Sequence, residues 1–349
     1  MTSTRSMASL AVLAFTLSAC GASTTEVDSG RPTDAGVDAA MPVDLGDVDL
    51  GDPEPDLGPP PADLGTPTDD AGAPASEGCF TDVSAGHHVF PCDGISYDVE
   101  ISSACAAGGC GLIFDVHGAT MNATSEDLNT NLRALGSAAG YVVVQPTAPA
   151  SAIGPAWDPA RDDPKVFAFL LLTERAMRVD THRVHFTGFS QGGFMSWRML
   201  CAHAEVFGSV APASACGALF PQCPFTPTAR PSEEIPVLYI HGSRDNIVAG
   251  CSAAMRDTVV AGWSMTPTTP VSMDADYTWS RYSSATGNVF EFIDHSYSAR
   301  SLILGGHCLP GSPDISATTF STSGYGCDHT SPVNWGEAVL AFFQAHPRP

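Results

Sequence analysis

Ser190 is the residue of this chain with the clearest capacity for covalent chemistry, because it stands at the centre of a Gly-x-Ser-x-Gly segment, residues 188–192. A serine in this pattern acts as a nucleophile when it lies on a sharp turn between a strand and a helix. Residues 184–187 are typical of a strand and residues 193–197 of the start of a helix, so the sequence supplies this context. We predict that Ser190 attacks a carbonyl carbon in an acyl-transfer reaction.

A serine hydroxyl is a weak nucleophile until a base removes its proton, and the base needs an acid to orient it. Asp245 follows the strongly apolar segment 237–240, which predicts that its carboxylate lies at the carboxyl end of a strand. His307 follows a predicted short strand, residues 302–304, and two glycines that give its loop conformational freedom. We expect His307 to be the base and Asp245 the acid; a loop aspartate that caps the next helix is the alternative reading of Asp245.

Two other histidines compete with His307 for the role of base. His295 lies inside a polar run, and His329 lies beyond the expected end of a strand. Both are therefore predicted to be structural or surface residues.

The negative charge that develops on the substrate oxygen needs hydrogen-bond donors placed beside it. The backbone N–H of Gln191, at the start of the helix after Ser190, is the first expected donor. The second is the N–H of Ala119, in the turn that follows a predicted buried strand. His117 of the same turn is predicted to support this loop and not to act as a base.

Three aromatic residues in loop-like segments are predicted to line the pocket for the acyl or alcohol part of the substrate. They are Trp157, Trp279 and Tyr282. Packing in the core is the alternative for each of them, since large aromatic side chains are usually buried.

Short apolar segments alternate with helical patterns from residue 79 onward, which predicts an α/β fold with a mostly parallel central sheet and helices on both faces. The predicted strands are residues 95–101, 112–116, 141–145, 184–187, 206–210 and 237–240. The predicted helices are residues 128–139, 166–178, 192–203 and 334–345. Ligands bind at the carboxyl ends of the strands in such sheets, which is where the residues with catalytic potential fall.

The first 78 residues predict an export signal and a tether. Residues 1–19 combine a basic start with an apolar run that is too short to span a bilayer. The run ends in Leu-Ser-Ala before Cys20, which resembles the bacterial lipobox and implies cleavage before Cys20 and lipidation of its thiol. An ordinary secretory signal is the alternative. The resemblance implies a protein anchored by lipid at the cell surface or outer membrane, or an extracellular one.

Residues 20–78 are rich in Asp, Pro and Gly and contain no aromatic residue. Such a composition cannot bury enough apolar surface to offset the entropy of ordering, so we predict a disordered acidic tether. The predicted catalytic domain then comprises residues 79–349.

The ten cysteines after Cys20 form an even set, which favours disulfides in an oxidising compartment over a metal site. No Cys-x-x-Cys pair occurs, and no metal or organic cofactor is predicted. The sequence leaves the pairing open, and the expected local disulfides are Cys79–Cys92, Cys105–Cys110 and Cys308–Cys327.

The formal net charge of −23 gives the chain no electrostatic surface for nucleic acid. The expected partners are an ester substrate, which includes polymeric esters, and a membrane contacted only through the lipid anchor.

Residues 162–164 and 179–196 together resemble the polyhydroxybutyrate depolymerase-like esterases, a group close to secreted feruloyl and acetylxylan esterases. The segments around His117, Asp245 and His307 fall where that group keeps its oxyanion loop, acid and base. The order Ser190, Asp245, His307 is also that of α/β-hydrolases. The resemblance covers most of residues 90–345 and implies an α/β-hydrolase fold and ester hydrolysis through an acyl-enzyme, without a cofactor.

Two segments depart from the group. Cys308 and Leu309 follow His307 where the group often has an aromatic residue, and residues 267–294 are hard to align. The expected activity is that of a polyhydroxybutyrate depolymerase-like esterase, with a feruloyl or acetylxylan esterase as the alternative. A non-catalytic surface-binding lipoprotein on a hydrolase scaffold is an alternative of another class.

Overall fold

In the computed structural model, residues 73–216, 225, 230–312, 325–328 and 331–349 are described. They belong to the second of the two units into which the chain divides, Met1–Gly65 and Thr66–Pro349. The Ala75 N–H donates to the Ala176 C=O at 3.0 Å, so contacts within this unit begin a few residues before the predicted start at Cys79. Across the described ranges, every helix is too short or too polar to traverse a lipid bilayer.

Strands and helices alternate along most of the described chain. The strands are β1 (Gly86–Cys92), β2 (Ile95–Ile101), β3 (Gly111–Val116), β4 (Tyr141–Thr147), β5 (Ala150–Ser151), β6 (Gly154–Pro155), β7 (Val184–Phe189), β8 (Ser209–Ala213), β9 (Val237–Gly242), β10 (Thr266–Pro267), β11 (Ser272–Met273), β12 (Tyr277–Ser283) and β13 (Val289–His295). The helices are α1 (Ala123–Thr130), α2 (Leu132–Ala138), α3 (Pro159–Met177), α4 (Gln191–His203), α5 (Ser252–Gly262) and α6 (Trp335–Ala345).

The main sheet has the strand order β1-β2-β4-β3-β7-β8-β9-β13-β12-β10, with β11 paired to β12. Its centre, from β4 through β3, β7, β8 and β9 to β13, is parallel, and the pairs toward both edges are antiparallel. Parallel strands end at the same edge of a sheet, so the loops after β3, β7 and β9 meet there.

Each face of the sheet carries its own hydrophobic core, because successive strand residues point to opposite faces. Phe114 packs on the side of α3, α4 and α5, and its neighbour Ile113 packs on the side of α2 and α6. The predicted architecture, a mostly parallel sheet between two layers of helices, is confirmed.

Several predicted elements differ from the structure. The predicted helix 128–139 is two helices, because Asn131 adopts a left-handed conformation with φ of 55° and breaks it. The strand predicted at 206–210 starts only at Ser209, after a 3₁₀ turn. The strand predicted before His307 is a 3₁₀ turn, Leu302–Leu304. Strands β1, β12 and β13 and helix α5 were absent from the prediction.

Disulfides close local loops of the described chain. The three predicted pairs are confirmed: Cys79–Cys92, Cys105–Cys110 and Cys308–Cys327. A further bond, Cys216–Cys251, joins the loop after β8 to the start of α5 and was not predicted.

A buried acidic pair lies under the carboxyl end of β3. Asp115 accepts hydrogen bonds from Thr130 Oγ1 at 2.8 Å and Gln145 Nε2 at 2.7 Å, and Glu126 of α1 lies beside it. Burial raises the pKa of Asp115 to about 6. Burial and the neighbouring charge of Asp115 raise the pKa of Glu126 well above its ordinary value. The folded protein therefore retains protons that the unfolded chain has already released.

Because both carboxyl pKa values are raised in the folded protein, the free energy of unfolding falls as pH rises. A raised carboxyl pKa gives stability that is fully present below about pH 4 and is lost as pH rises through the folded pKa. The buried pair therefore contributes less stability at pH 8 than at pH 4.

We expect Glu126→Gln to reduce the fall in unfolding free energy between pH 5 and pH 8, measured by urea unfolding with the disulfides intact. The control Glu233→Gln, at an exposed glutamate, should keep the wild-type pH dependence, and an unchanged slope in Glu126→Gln would contradict the assignment.

Candidate active site

Ser190 lies on the turn between β7 and α4 in a conformation that few residues other than glycine adopt, with φ of 52° and ψ of −112°. Its N–H donates to the Ala213 C=O at 2.9 Å. The motif glycines are required by crowding: a Cβ atom on Gly188 would lie 2.6 Å from Val116 O, and one on Gly192 only 1.7 Å from it. The turn therefore holds the serine at the edge of the sheet against the end of β3.

The loop after β3 lies directly beside Ser190. A Cβ atom added to Gly118 would lie 3.0 Å from Ser190 Cβ. Within the described residues, the backbone N–H groups of Ala119 and Gln191 donate to no protein acceptor. Gln191 is also the first residue of α4, where the helix dipole favours negative charge. Both predicted oxyanion donors are thus available on the two segments that flank the serine.

His117 supports this loop, as its sequence context predicts. Its Nδ1–H donates to Gly118 O at 2.6 Å, and its Nε2 accepts from the Ala148 N–H at 3.0 Å. Burial lowers the pKa of His117 to about 4, so its imidazole is neutral near pH 7. Both ring nitrogens are occupied, which leaves none to take a proton from Ser190.

Trp157 links the loop after β3 to the start of α4. Its indole N–H donates to His117 O at 2.9 Å, and its backbone N–H donates to Gln191 Oε1 at 2.9 Å. The side chain is 6 % exposed. It lies next to the site, but its buried position and its bonds make it a support for the loop after β3.

Tyr325 contacts the same loop from the other side and was not predicted. Its hydroxyl pairs with Thr120 Oγ1 at 2.8 Å, and its ring lies 5.6 Å from the ring of Phe189. Tyr325 is two residues from Cys327, whose disulfide to Cys308 joins this segment to the residue after His307. Only that cysteine pairing could have indicated from sequence that Tyr325 lies near the site.

His307 and Asp245 form a buried acid–base pair. His307 Nδ1–H donates to Asp245 Oδ2 at 2.6 Å, and Asp245 Oδ1 accepts from the N–H groups of Ile247 at 2.8 Å and Val248 at 2.7 Å. Burial acts to raise the pKa of Asp245, but the hydrogen bond and charge of His307, the charge of His241 and the Val248 N–H outweigh it, so this pKa lies below its ordinary value. The carboxylate therefore stays ionised and fixes the proton of His307 on Nδ1.

The second nitrogen of His307 is free within the described residues, since Nε2 makes no hydrogen bond there. The imidazole ring lies 4.7 Å from the ring of Phe189, the residue before Ser190. The serine hydroxyl and this nitrogen are not hydrogen-bonded to each other in the structure. The geometry brings the base beside the serine turn, with an unoccupied nitrogen to accept a proton.

The acid and base loops are joined through their backbones. Gly306 N–H donates to Arg244 O at 2.7 Å, and Asn246 N–H donates to Leu304 O at 3.2 Å. Gly305 has φ of 59°, and a Cβ atom there would lie 2.3 Å from Arg244 O. The glycines before His307 are therefore needed for close approach to the acid loop as well as for the path of the chain.

The structure does not bring Trp279 and Tyr282 to Ser190. Both lie on β12, four strands from β7, which corresponds to roughly 19 Å. Trp279 Nε1 donates to Glu291 Oε2 at 2.6 Å, and Tyr282 pairs with Phe290 at the end of the sheet opposite the serine.

The other singled-out residues fall elsewhere. His295 is a buried residue at the end of β13, stacked on Tyr297, which fits a structural role and not the predicted surface alternative. His329 and Cys20 lie outside the described residues.

Two groups of a histidine and two cysteines have the proximity of metal ligands: His241 with Cys216 and Cys251, and His295 with Cys308 and Cys327. In both groups the sulfurs are joined in a disulfide. They have no thiolate to offer, so these described clusters do not fit a metal ion.

Comparison with known proteins relates the chain to esterases. The family described as Phospholipase/Carboxylesterase matches residues 167–261, which include Ser190 and Asp245. A candidate esterase, NocK of Nocardia uniformis subsp. tsuyamanensis, is 33% identical over 157 residues, which cover 42% of this chain and 44% of NocK. The bifunctional acetylxylan esterase/xylanase XynS20E of Neocallimastix patriciarum is 23% identical over 139 residues, which cover 39% of this chain and 19% of that protein.

A solved structure shares the fold. The acetyl xylan esterase from Aspergillus awamori superposes with a TM-score of 0.50 at 15% sequence identity, covering 60% of this chain and 93% of that enzyme. The chain has the α/β-hydrolase fold, as predicted. It spans less than half the length of either sequence relative.

Two glycine variants distinguish the effect of the contact between the Asp245 and His307 loops from the effect of a positive φ at the substituted residue. Gly305→Ala should reduce catalytic activity more than about tenfold, because its Cβ atom pushes the acid and base loops apart. Gly287→Ala is the control for a positive φ, since its φ is 89° but nothing lies within 4 Å of its Cβ position. Both should lose about 1 kcal/mol of stability from the positive φ. Equal ester hydrolysis rates for the two folded variants would refute the role given to this contact.

Proposed function

We propose that this protein is a serine esterase that hydrolyses carboxylic esters through an acyl-enzyme. Ser190 is the nucleophile, His307 the general base and Asp245 the acid. The observation that carries the proposal is the 2.6 Å hydrogen bond between His307 Nδ1 and Asp245 Oδ2, beside a serine held on a strained strand-to-helix turn. The similarity of residues 167–261 to a carboxylesterase family supports the same chemistry.

In the proposed cycle, His307 Nε2 takes the proton of Ser190 Oγ as this oxygen attacks the ester carbonyl. The N–H groups of Ala119 and Gln191 stabilise the negative charge on the carbonyl oxygen. The imidazolium then gives its proton to the departing alcohol, which leaves an acyl-serine. A water molecule deprotonated by His307 hydrolyses this ester and restores the serine.

For the substrate we propose a polyhydroxyalkanoate-type polyester or its soluble oligomers, supported by the resemblance of residues 162–164 and 179–196 to polyhydroxybutyrate depolymerase-like esterases. A second candidate, an acetyl or feruloyl ester of a plant polysaccharide, is supported by the similarity to XynS20E, which is named as an acetylxylan esterase/xylanase. The two classes release different acids, 3-hydroxybutyrate in the first case and acetate or ferulate in the second.

A panel of polyhydroxybutyrate, acetylated xylan and methyl ferulate, assayed by the acid released, tests both the activity and the substrate. Wild type should hydrolyse at least one ester and react with a fluorophosphonate probe, while Ser190→Ala should lose the labelling and at least about 10³-fold of the rate. Ser137→Ala on α2 is the control for the loss of a serine hydroxyl elsewhere in the protein. It should retain both the probe labelling and the hydrolysis rate of wild type. Absence of probe labelling in folded wild type would favour the non-catalytic binding lipoprotein.

We also propose that the protein is exported and held at the cell surface by lipid on Cys20, with residues 21–74 as a tether that ends where Ala75 contacts the domain. The disulfides of the described domain support an oxidising compartment. Cys20→Ala should move the protein from the membrane fraction of expressing bacteria to the soluble fraction, without changing its hydrolysis of a soluble ester. Retention of the variant in the membrane fraction would rule out this anchor.

A further inference from the structure

Asp245 has a second histidine neighbour that the proposed reaction does not use. His241 is the fifth residue of β9, and its Nε2 lies 3.3 Å from Asp245 Oδ2, the oxygen that accepts from His307. The side chain is 1 % exposed. Protein groups occupy both of its ring nitrogens, so we place its effect on catalysis in its contact with Asp245.

Both nitrogens of His241 are occupied, and their partners define the tautomer. Tyr239 Oη lies 2.7 Å from Nδ1, and Nε2 lies 3.1 Å from Val248 O. A carbonyl oxygen only accepts, so Nε2 carries the proton and Nδ1 accepts from the Tyr239 hydroxyl. The N–H of His241 is thereby directed at the turn that contains Asp245.

The turn at residues 245–248 connects His241 to the carboxylate of Asp245 through Val248. Val248 receives the His241 N–H on its carbonyl and donates its own N–H to Asp245 Oδ1 at 2.7 Å. The Nε2 atom that carries this proton lies 3.3 Å from Asp245 Oδ2. One imidazole thus fixes the position of the turn and offsets part of the negative charge on the carboxylate.

We propose that His241 is a positioning residue for the acid of the triad, held in its Nε2–H tautomer by Tyr239, so that a chain of contacts Tyr239–His241–Asp245–His307 sets the orientation and basicity of the catalytic base. The inference rests on the proposed serine esterase function. Burial lowers the pKa of His241 to about 4, against the opposing effect of Asp245, which is consistent with a neutral donor at the pH of catalysis.

The surroundings of His241 restrict which groups can titrate with it. Asp245 and His307 face it from the acid and base loops, and Tyr239 faces it from its own strand. Asp294 of β13 acts on Tyr239. Cys216 and Cys251 lie beside the imidazole but are joined in a disulfide and carry no proton to exchange.

The direction of the pH effect follows from the charge that His241 offsets. Without this N–H, Asp245 becomes a more basic carboxylate with a stronger negative potential at His307. The protonated form of His307 is then favoured, so the acidic limb of the pH profile moves to higher pH. The loosened turn also lowers kcat, whereas KM changes little because His241 does not contact substrate.

The test compares His241→Leu with His241→Gln, whose amide N–H can occupy the Nε2 position. With a soluble ester and rates normalised to fluorophosphonate-titrated sites, His241→Leu should lower kcat roughly 10- to 100-fold. It should also raise the acidic limb of kcat/KM by about 0.5 pH unit. His241→Gln should restore most of both. Tyr239→Phe keeps the ring but removes the hydroxyl that holds His241 in its Nε2–H tautomer. This variant should shift the acidic limb of kcat/KM in the same direction, by a smaller amount than His241→Leu.

His185→Leu is the matched control. His185 is also fully buried, pairs with Ser209 Oγ at 2.9 Å and has its pKa lowered by burial to about 3, but it lies near the start of β7, at the end of the sheet opposite Ser190. This variant should lose stability and keep the wild-type kcat and acidic limb. A folded His241→Leu that behaves as His185→Leu does would overturn the inference. If His241→Leu does not fold, an unshifted limb in Tyr239→Phe would overturn it.

The inference and the proposed function fail in different ways. Full activity of Ser190→Ala would remove the proposed serine mechanism itself. Loss of activity in Ser190→Ala and His307→Ala, together with wild-type kinetics in the His241 and Tyr239 variants, would leave that mechanism intact and remove only the role of His241.

Discussion

The contact between two loops from distant parts of the chain, the turn at Asp245 and the loop at His307, is the constraint on which the site depends. A hydrogen bond of 2.6 Å between side chains tolerates little displacement of either backbone. The backbones are therefore paired directly, through Gly306 and Arg244 and through Asn246 and Leu304. A Cβ atom at Gly305 would lie 2.3 Å from Arg244 O and one at Gly306 would lie 2.9 Å from Asp245 N, which explains why glycines stand before the histidine.

The same principle of close backbone approach governs the serine turn. Val116 at the end of β3 lies against Gly188 and Gly192, so the loop that follows β3 can begin only where these glycines make room. The strained conformation of Ser190 persists because β7 and α4 are both anchored in the core around it. Trp157 then holds the loop from outside through a hydrogen bond to His117 O, and His117 holds it from within through Gly118 O. Backbone packing sets the positions, and side-chain hydrogen bonds maintain them.

The sequence predicted those parts of the site that depend on local pattern. The Gly-x-Ser-x-Gly segment, the apolar strand before Asp245 and the glycines before His307 each carry a signal within about ten residues. Tyr325 and the loop-facing roles of Trp157 and Gln191 depend on contacts between segments that no local pattern encodes. The pocket predictions at Trp279 and Tyr282 treated residues 277–283 as a loop. These residues form strand β12, whose partly exposed, mixed pattern near the sheet edge lacks the apolar run of a central strand.

Three buried histidines surround the site, and their environments decide which one can act as a base. His117 and His241 each have both nitrogens occupied by protein groups, and burial lowers the pKa of each to about 4. His307 has a carboxylate on Nδ1 and no protein partner on Nε2 among the described residues. A base needs one nitrogen held and the other open, because it must be oriented before the reaction and free to accept a proton during it. That condition distinguishes His307 from His117 and His241. Burial and proximity do not, since all three histidines are buried and each lies close to Ser190 or to Asp245.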